Sequence, residues 1–209
     1  MSGRAEARPS SAPDEAAGPS EAALLEAITA GEKWAADALY DLLYPSVAAS
    51  LQRVLQRPES DYEDLVQTTF ERIVRLLFER RGADVLNLRA WASGVATHVA
   101  LDALRSRVRE RKLFDQSSSS SGAVLAVAGS ASLERHLEAR HQLGLVQDVL
   151  ARMSPDLAEA LVLHDLNGHE LSEVATLMNT SLAATQSRVF RARKELLRRV
   201  EKRQKRGAE

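Results

Sequence analysis

Apolar residues in this chain return every three or four positions in one segment after another, and that spacing restricts it to helices. In the closing stretch SLAATQSRVFRARKELLRRV, Thr185, Val189, Ala192, Leu196 and Val200 fall on one stripe. Arg188, Arg191, Arg193, Lys194, Arg198 and Arg199 occupy the rest of that helix, so one side can dock on a core while the other meets an anion. The same period runs through Leu24, Leu25 and Ile28, through Leu39, Leu42, Leu43, Val47, Leu51 and Val54, and through Leu65, Val66, Phe70, Ile73, Leu76 and Leu77. It continues in Val95, Val99, Leu101, Leu104 and Val108. No Val/Ile/Thr-rich alternating run bounded by turn residues occurs, so the expected fold class is all-α, without a sheet.

Breaks in that period divide the chain into two small helical domains joined by a flexible linker, the second ending in a helix-turn-helix. Residues 1–20, rich in Ser, Pro, Ala and Gly, bury too little apolar surface to order and read as a disordered tail. The first domain is expected over 21–112. It holds two or three helices up to Leu55 with interruptions near Gly31 and Pro45, a break at Pro58-Glu59-Ser60, a helix capped by Ser60 or Asp61, the loop RRGADVLN, and a helix from Leu88 to Lys112. Residues 113–132, with DQSSSSSGAVLAVAGSAS at their heart, read as the linker. The second domain, 133–203, is expected to hold a long helix to Met153, a break at Ser154-Pro155, a helix to Leu166, a turn at Asn167-Gly168, a helix from Ser172 to Met178 and the closing helix from Ser181, with a basic tail over 204–209.

Charge and chemistry narrow the function. Twenty-eight basic against 29 acidic residues leave a net charge of −1, yet from Arg188 to Arg206 only Glu195 and Glu201 are acidic, and Asp61, Glu63 and Asp64 form a compact acidic group. Cysteine is absent, which excludes disulfides and thiol chemistry, and neither a secretory signal nor a membrane span is apparent, so a cytoplasmic protein is expected. The segment HDLNGHE offers His164, Asp165, His169 and Glu170 as metal ligands, but the H-E-x-x-H spacing is missing and Gly168 interrupts it. With no phosphate-binding glycine loop or nucleophile elbow either, no catalytic residue, metal or cofactor is expected.

The stretch LSEVATLMNTSLAATQSRVFRAR has the form of a helix-turn-helix. Ala175 is small where two helices must cross, Asn179 tolerates a left-handed turn, and Ser181 can cap a second helix whose N-terminal half would enter a DNA major groove. A bundle helix with a solvated basic face would also fit this segment alone. The first domain adds weight. DYEDLVQTTFERI followed by LRAWASGVATHVALDALRSRVRERK resembles the second domain of the extracytoplasmic-function group of bacterial sigma factors. Its patterns are D-x-E-D-L-V-Q-x-x-F, matched by Asp61, Glu63, Asp64, Leu65, Val66, Gln67 and Phe70, and R-x-W-L-x-x-I-A-x-N-x-x-x-D-x-x-R, matched by Arg89, Trp91, Ala96, Asp102 and Arg105. The closing stretch resembles the same group's fourth domain through Glu173, Val174, Ala175, Ser181, Ser187, Arg188, Arg191, Ala192 and Arg193. Where the family usually has Asn, this chain has His98, and Asn179 to Gln186 replace its Gly-Ile-Ser-x-Gly-Thr-Val-Lys turn.

The resemblance implies a dissociable RNA polymerase subunit and not an enzyme. Asp61, Glu63, Asp64 and Gln67 would grip the clamp helices of the largest core subunit, acidic and amide groups suiting a basic partner. Thr97, His98, Asp102, Arg105 and Arg109 would act at the promoter −10 element, where a captured base offsets the cost of unstacking. Ser181, Ala184, Gln186, Ser187, Arg188 and Arg191 would lie at the −35 element, with Gln186 and Arg188 as base readers and Lys194, Arg198 and Arg199 toward phosphates. Core polymerase and promoter DNA are the implied partners, and an anti-sigma protein is a further candidate. Trp91, in phase with Val95 and Val99, is expected in the core.

Overall fold

A computed structural model describes residues 20–56, 61–80, 87–117 and 131–207. The tail 1–19, the proline break at 57–60, the loop at 81–86, the middle of the expected linker at 118–130 and residues 208–209 lie outside them. Every regular element among the described residues is helical. Four helices form the first body: α1 (Glu21–Thr29), α2 (Lys33–Leu55), α3 (Tyr62–Arg80) and α4 (Leu88–Ser117). The second body is α5 (Ala131–Arg152), α6 (Pro155–Leu161), a π-helical turn (Val162–Leu166), α7 (Leu171–Leu177) and α8 (Leu182–Gly207).

Helix α2 packs along α4, and the pairing explains both sequences. On α2, Leu39, Leu43, Val47, Leu51 and Val54 are buried at intervals of three and four. Facing them, α4 alternates bulk with small residues, Leu88, Ala92, Val95, Ala96, Val99 and Ala100, which lets the two backbones approach closely. Within this seam Ser50 Oγ and Ser93 Oγ lie 2.9 Å apart, so a polar pair is satisfied without water. Val66, Ile73 and Leu77 of α3 and Leu24, Ala27 and Ile28 of α1 close the remaining sides of the core.

The ends of the helices are fixed by local chemistry. Ser20 Oγ accepts from the Ala23 amide at 3.2 Å and caps α1, and Gly31, at φ 74°, turns the chain after it. Gln56, at φ 61°, ends α2. The start of α4 is capped twice: Asn87 Oδ1 accepts from the Ala90 amide at 3.0 Å, and the Glu21 carboxylate reaches across to accept from the Leu88 amide at 3.0 Å.

Three boundaries differ from the sequence reading. Pro45 does not break the helix, because Leu39, Leu43, Val47 and Leu51, all at most 2% exposed, hold α2 to its neighbours on both sides of the lost hydrogen bond. Helix α4 runs beyond Lys112 to Ser117, and α8 runs through the expected basic tail to Gly207. The second extension has a partner: Arg203 pairs with Asp148 at 2.6 Å and Gln204 donates to Gln142 at 2.8 Å, laying the end of α8 along α5.

Truncating Leu43, fully buried between α2 and α4, should lower the unfolding free energy by about 2–5 kcal/mol, whereas Phe78→Ala, at a half-exposed position, should change it by about 0.5 kcal/mol or less. Urea denaturation followed by circular dichroism measures both, and comparable losses would contradict this placement of the core.

Candidate nucleic-acid interface

The helix-turn-helix expected from the sequence is present, and its turn is built by hydrogen bonds. After α7, the Thr180 amide donates to Ala175 O at 2.9 Å and the Asn179 amide to Thr176 O at 3.1 Å. Asn179 takes the left-handed conformation at φ 48° that this closure needs. Ser181 then caps α8, its Oγ accepting from the Ala184 amide at 3.2 Å. Val174 and Ala175 of α7 meet Thr185, Val189 and Ala192 of α8, all buried, and the Thr185 hydroxyl donates to Ser181 O at 3.1 Å.

With that face fixed, the opposite face of α8 is decided. Ser181, Gln186, Ser187 and Arg191 are exposed, and Ala184 and Arg188 are half-buried. Phe190 stands out at 69% exposed, four residues from Gln186 and three from Ser187, and so on their side of the helix. Sequence reasoning missed it. The signal was there: Phe190 is out of phase with the stripe of Thr185, Val189, Ala192 and Leu196, so the stripe that buries those residues turns Phe190 outward.

The arginines of α8 already hold carboxylates. Arg188 pairs with Asp156 of α6 at 3.0 Å, Arg193 with Asp165 of the π-turn through contacts of 2.5 and 2.8 Å, and Arg199 with Glu195 at 2.5 Å. The hydrogen bonds to Asp165, and then its charge, push the Arg193 guanidinium further up, holding it charged. These pairs are largely at the surface, so a phosphate can exchange with the carboxylate at little cost.

In the first body the acidic group sits at the start of α3. Glu63, Asp64 and Gln67 are exposed there, whereas Asp61 is tied to Arg107 of α4 at 3.2 Å. The exposed strip runs on into apolar residues that sequence reasoning assigned no role, Val74 and Phe78, and beside it Tyr40 stacks on Tyr44 and tilts against Phe70. On α4, Asp102 is exposed and bonds Arg105 at 2.9 Å, with Arg72 at 3.7 Å, and Arg109 is exposed. Thr97 and His98 are placed otherwise. Thr97 is fully buried, its hydroxyl donating to Ser93 O, and His98 Nε2 lies 2.9 Å from Glu159 of α6. Trp91 is partly buried at the rim of a cleft of about 580 Å³ whose walls include Arg72, Leu76 and His98 from the first body and Glu159, Thr176 and Leu177 from the second. The described residues contain no group of three His, Cys, Asp or Glu side chains able to hold a metal ion, and none of their helices is long and apolar enough to cross a membrane.

Comparison with known proteins divides the chain at the same seam. Residues 39–110 match the family model of sigma-70 region 2, and residues 143–196 match that of sigma-70 region 4. The ECF RNA polymerase sigma factor SigJ of Mycobacterium tuberculosis is 30% identical over 135 residues, 65% of this chain and 42% of that protein, so the chain spans less than half the length of this relative. The ECF RNA polymerase sigma-E factor of Salmonella typhimurium is 26% identical over 184 residues, covering 85% of this chain and 93% of that one. The structure of CnrH in complex with the cytosolic domain of CnrY shares the fold, with a TM-score of 0.51 at 21% identity over 87% of this chain and 97% of CnrH.

The turn geometry gives a direct test. Asn179→Val, a β-branched residue forced to φ 48°, should cost about 1–2 kcal/mol, and Asn179→Gly should be close to neutral. Thermal unfolding of the two variants checks this, and equal melting temperatures would contradict the left-handed turn.

Proposed function

Since the chain belongs to the sigma-70 family, in its extracytoplasmic-function group, we propose that its two bodies divide the work of promoter-directed initiation by RNA polymerase. The observation that carries the reading is the order of the two matched regions together with what each leaves exposed: an acidic α3 in region 2 and a capped, basic reading helix in region 4. The family recruits core polymerase to selected promoters and is non-catalytic; we read this chain as acting in the cytoplasm in the same way, by binding alone.

Each body then has a role that its chemistry supports. Glu63, Asp64 and Gln67 offer carboxylates and an amide to the basic clamp helices of core polymerase, and Asp61 holds α3 against α4 through Arg107. Val74 and Phe78 extend that contact with apolar area that has no other cover among the described residues. At the −10 element Asp102, Arg105 and Arg109 offer charge from α4, whereas Thr97 is buried against Asn167 and His98 is held by Glu159. At the −35 element Ser181, Ala184, Gln186, Ser187, Arg188 and Arg191 face the groove, Gln186 and Arg188 reading base edges, while Phe190 offers an apolar ring to a thymine methyl. An anti-sigma protein is the further partner we propose for this chain, whose fold is shared by CnrH in complex with the cytosolic domain of CnrY.

Two measurements test the assignments. Changing Asp64 to Arg together with Gln67 to Ala should weaken co-purification with core polymerase, and co-purification equal to the unmodified chain would show that the clamp surface lies elsewhere.

Arg188→Ala should cost about 1–3 kcal/mol on the preferred −35 sequence and blunt discrimination at one or two base pairs, whereas replacing both Arg198 and Arg199 by Ala should weaken all sequences alike and flatten the salt dependence. Transcription across single-base −35 variants at two salt concentrations separates the two. A uniform loss with Arg188→Ala would make it a positioning residue only.

A further inference from the structure

Three helices deliver arginines to one carboxylate. Asp148 of α5 pairs with Arg203 of α8 at 2.6 Å, while Arg111 of α4 and Arg152, one turn further along α5, stand 3.7 and 4.0 Å from it. Only the first of these is a hydrogen bond; at the other two distances the guanidinium groups point charge at the carboxylate without engaging it. A fourth guanidinium borders the group. Arg199, one turn before Arg203, donates to the Arg152 carbonyl at 3.0 Å and pairs with Glu195 at 2.5 Å.

The charges in this group do not balance. Arg111, Arg152, Arg199 and Arg203 set four positive charges against the two negative charges of Asp148 and Glu195. The carboxylates nearest in sequence are turned to other partners, Glu110 accepting from Ser106 at 3.0 Å and Glu138 from Gln142 at 2.6 Å. Each guanidinium carries five N–H donors in a planar fork, more than one shared carboxylate can accept from three of them. There is also room beside it. Gly144 stands one turn before Asp148 on the same side of α5, and no atom lies within 4 Å of where its side chain would begin. Arg203 and Arg152 keep 32% and 39% of their side-chain surface open, and Arg111 72%, so an anion can reach all three from solvent.

We propose that this convergence is an anion site whose ligand is a free diphosphate group, either inorganic pyrophosphate or the diphosphate of a nucleotide. Phosphate oxygens match guanidinium forks in pairs, and two linked phosphates carry enough oxygens to engage Arg111 and Arg152 together while Asp148 keeps Arg203. A single phosphate fills one fork and leaves the other to water. Phosphates on a nucleic-acid strand are a nucleotide apart, whereas these three guanidiniums all lie within 4.0 Å of one carboxylate, which favours the compact anion. Arg199 borders the site, but Arg111, Arg152 and Arg203 have no part in the promoter and polymerase surfaces, and occupancy does not depend on those assignments.

The test titrates the full-length chain calorimetrically with sodium pyrophosphate, and with phosphate and sulfate for comparison, at physiological ionic strength. Pyrophosphate should bind at one site per chain, about tenfold tighter than phosphate, and should raise the melting temperature as its concentration rises. Arg111→Gln combined with Arg152→Gln should weaken binding about tenfold, and lysine at both positions, which keeps the charge but loses the fork, should recover only part of it. Lys33→Gln, at an exposed position of α2, should change nothing. Asp148→Asn should tighten binding, because the amide keeps the shape and gives up the competing charge. Circular dichroism checks that each variant is folded. No saturable binding, equal binding of phosphate and pyrophosphate, or full binding by the glutamine double variant would overturn the site, and so would weaker binding by a folded Asp148→Asn chain. A duplex of random sequence that displaces pyrophosphate at equal phosphate concentration would assign the arginines to a nucleic-acid backbone instead.

Discussion

Helix α4 has almost no free side from Leu88 to Leu101, and the rest of the molecule is arranged by that fact. Leu88, Ala92, Val95, Ala96, Val99, Ala100 and Leu101 are all buried, and so are Ser93 and Thr97 among them. A helix apolar around its circumference must be covered on every side. Helix α2 covers one side, α3 and α1 others, and the second body the remainder. Because Ser93 and Thr97 are polar, the covering elements also have to bring partners, which Ser50 supplies from α2 and Asn167 and His169 from the second body. The same helix carries Asp102, Arg105 and Arg109 past the buried stretch, so the element that organises the core also carries a charged segment beyond it.

Near-neutrality of net charge has a structural counterpart. Carboxylates of the second body stand beside the arginines of α8, Asp156 beside Arg188 and Asp165 beside Arg193, and Asp148 collects Arg203 with Arg152 and Arg111 near it. Such pairs cost little to break at a surface, and they offset part of the positive charge of a strongly basic helix.

Much of this was legible in the chain. The helices, the capped helix-turn-helix with Asn179 at its turn, the acidic start of α3 and the basic face of α8 follow from periodicity, capping chemistry and charge, which are local properties. Where the reading slipped, the missing information was non-local. Pro45 reads as a break until its flanking leucines are seen to be held by α4; the tail beyond Arg203 reads as loose until Asp148 and Gln142 of α5 are seen beside it. Phe190 was overlooked because an aromatic residue is ordinarily assigned to a core, and only the docking of Thr185, Val189 and Ala192 sends it outward.

Sequence alone determined the fold class, the family resemblance and the faces of individual helices, since each depends on residues within a few turns of one another. It could not place Thr97 and His98, to which the family resemblance gives a role at DNA. Their exposure depends on whether α6 and the π-turn lie over α4, a contact between residues about 60 to 70 positions apart in the chain that no periodicity encodes. Tertiary structure decided that, because a buried hydroxyl and a partly covered imidazole take whichever partner is brought to them, and here the partners came from the other end of the protein.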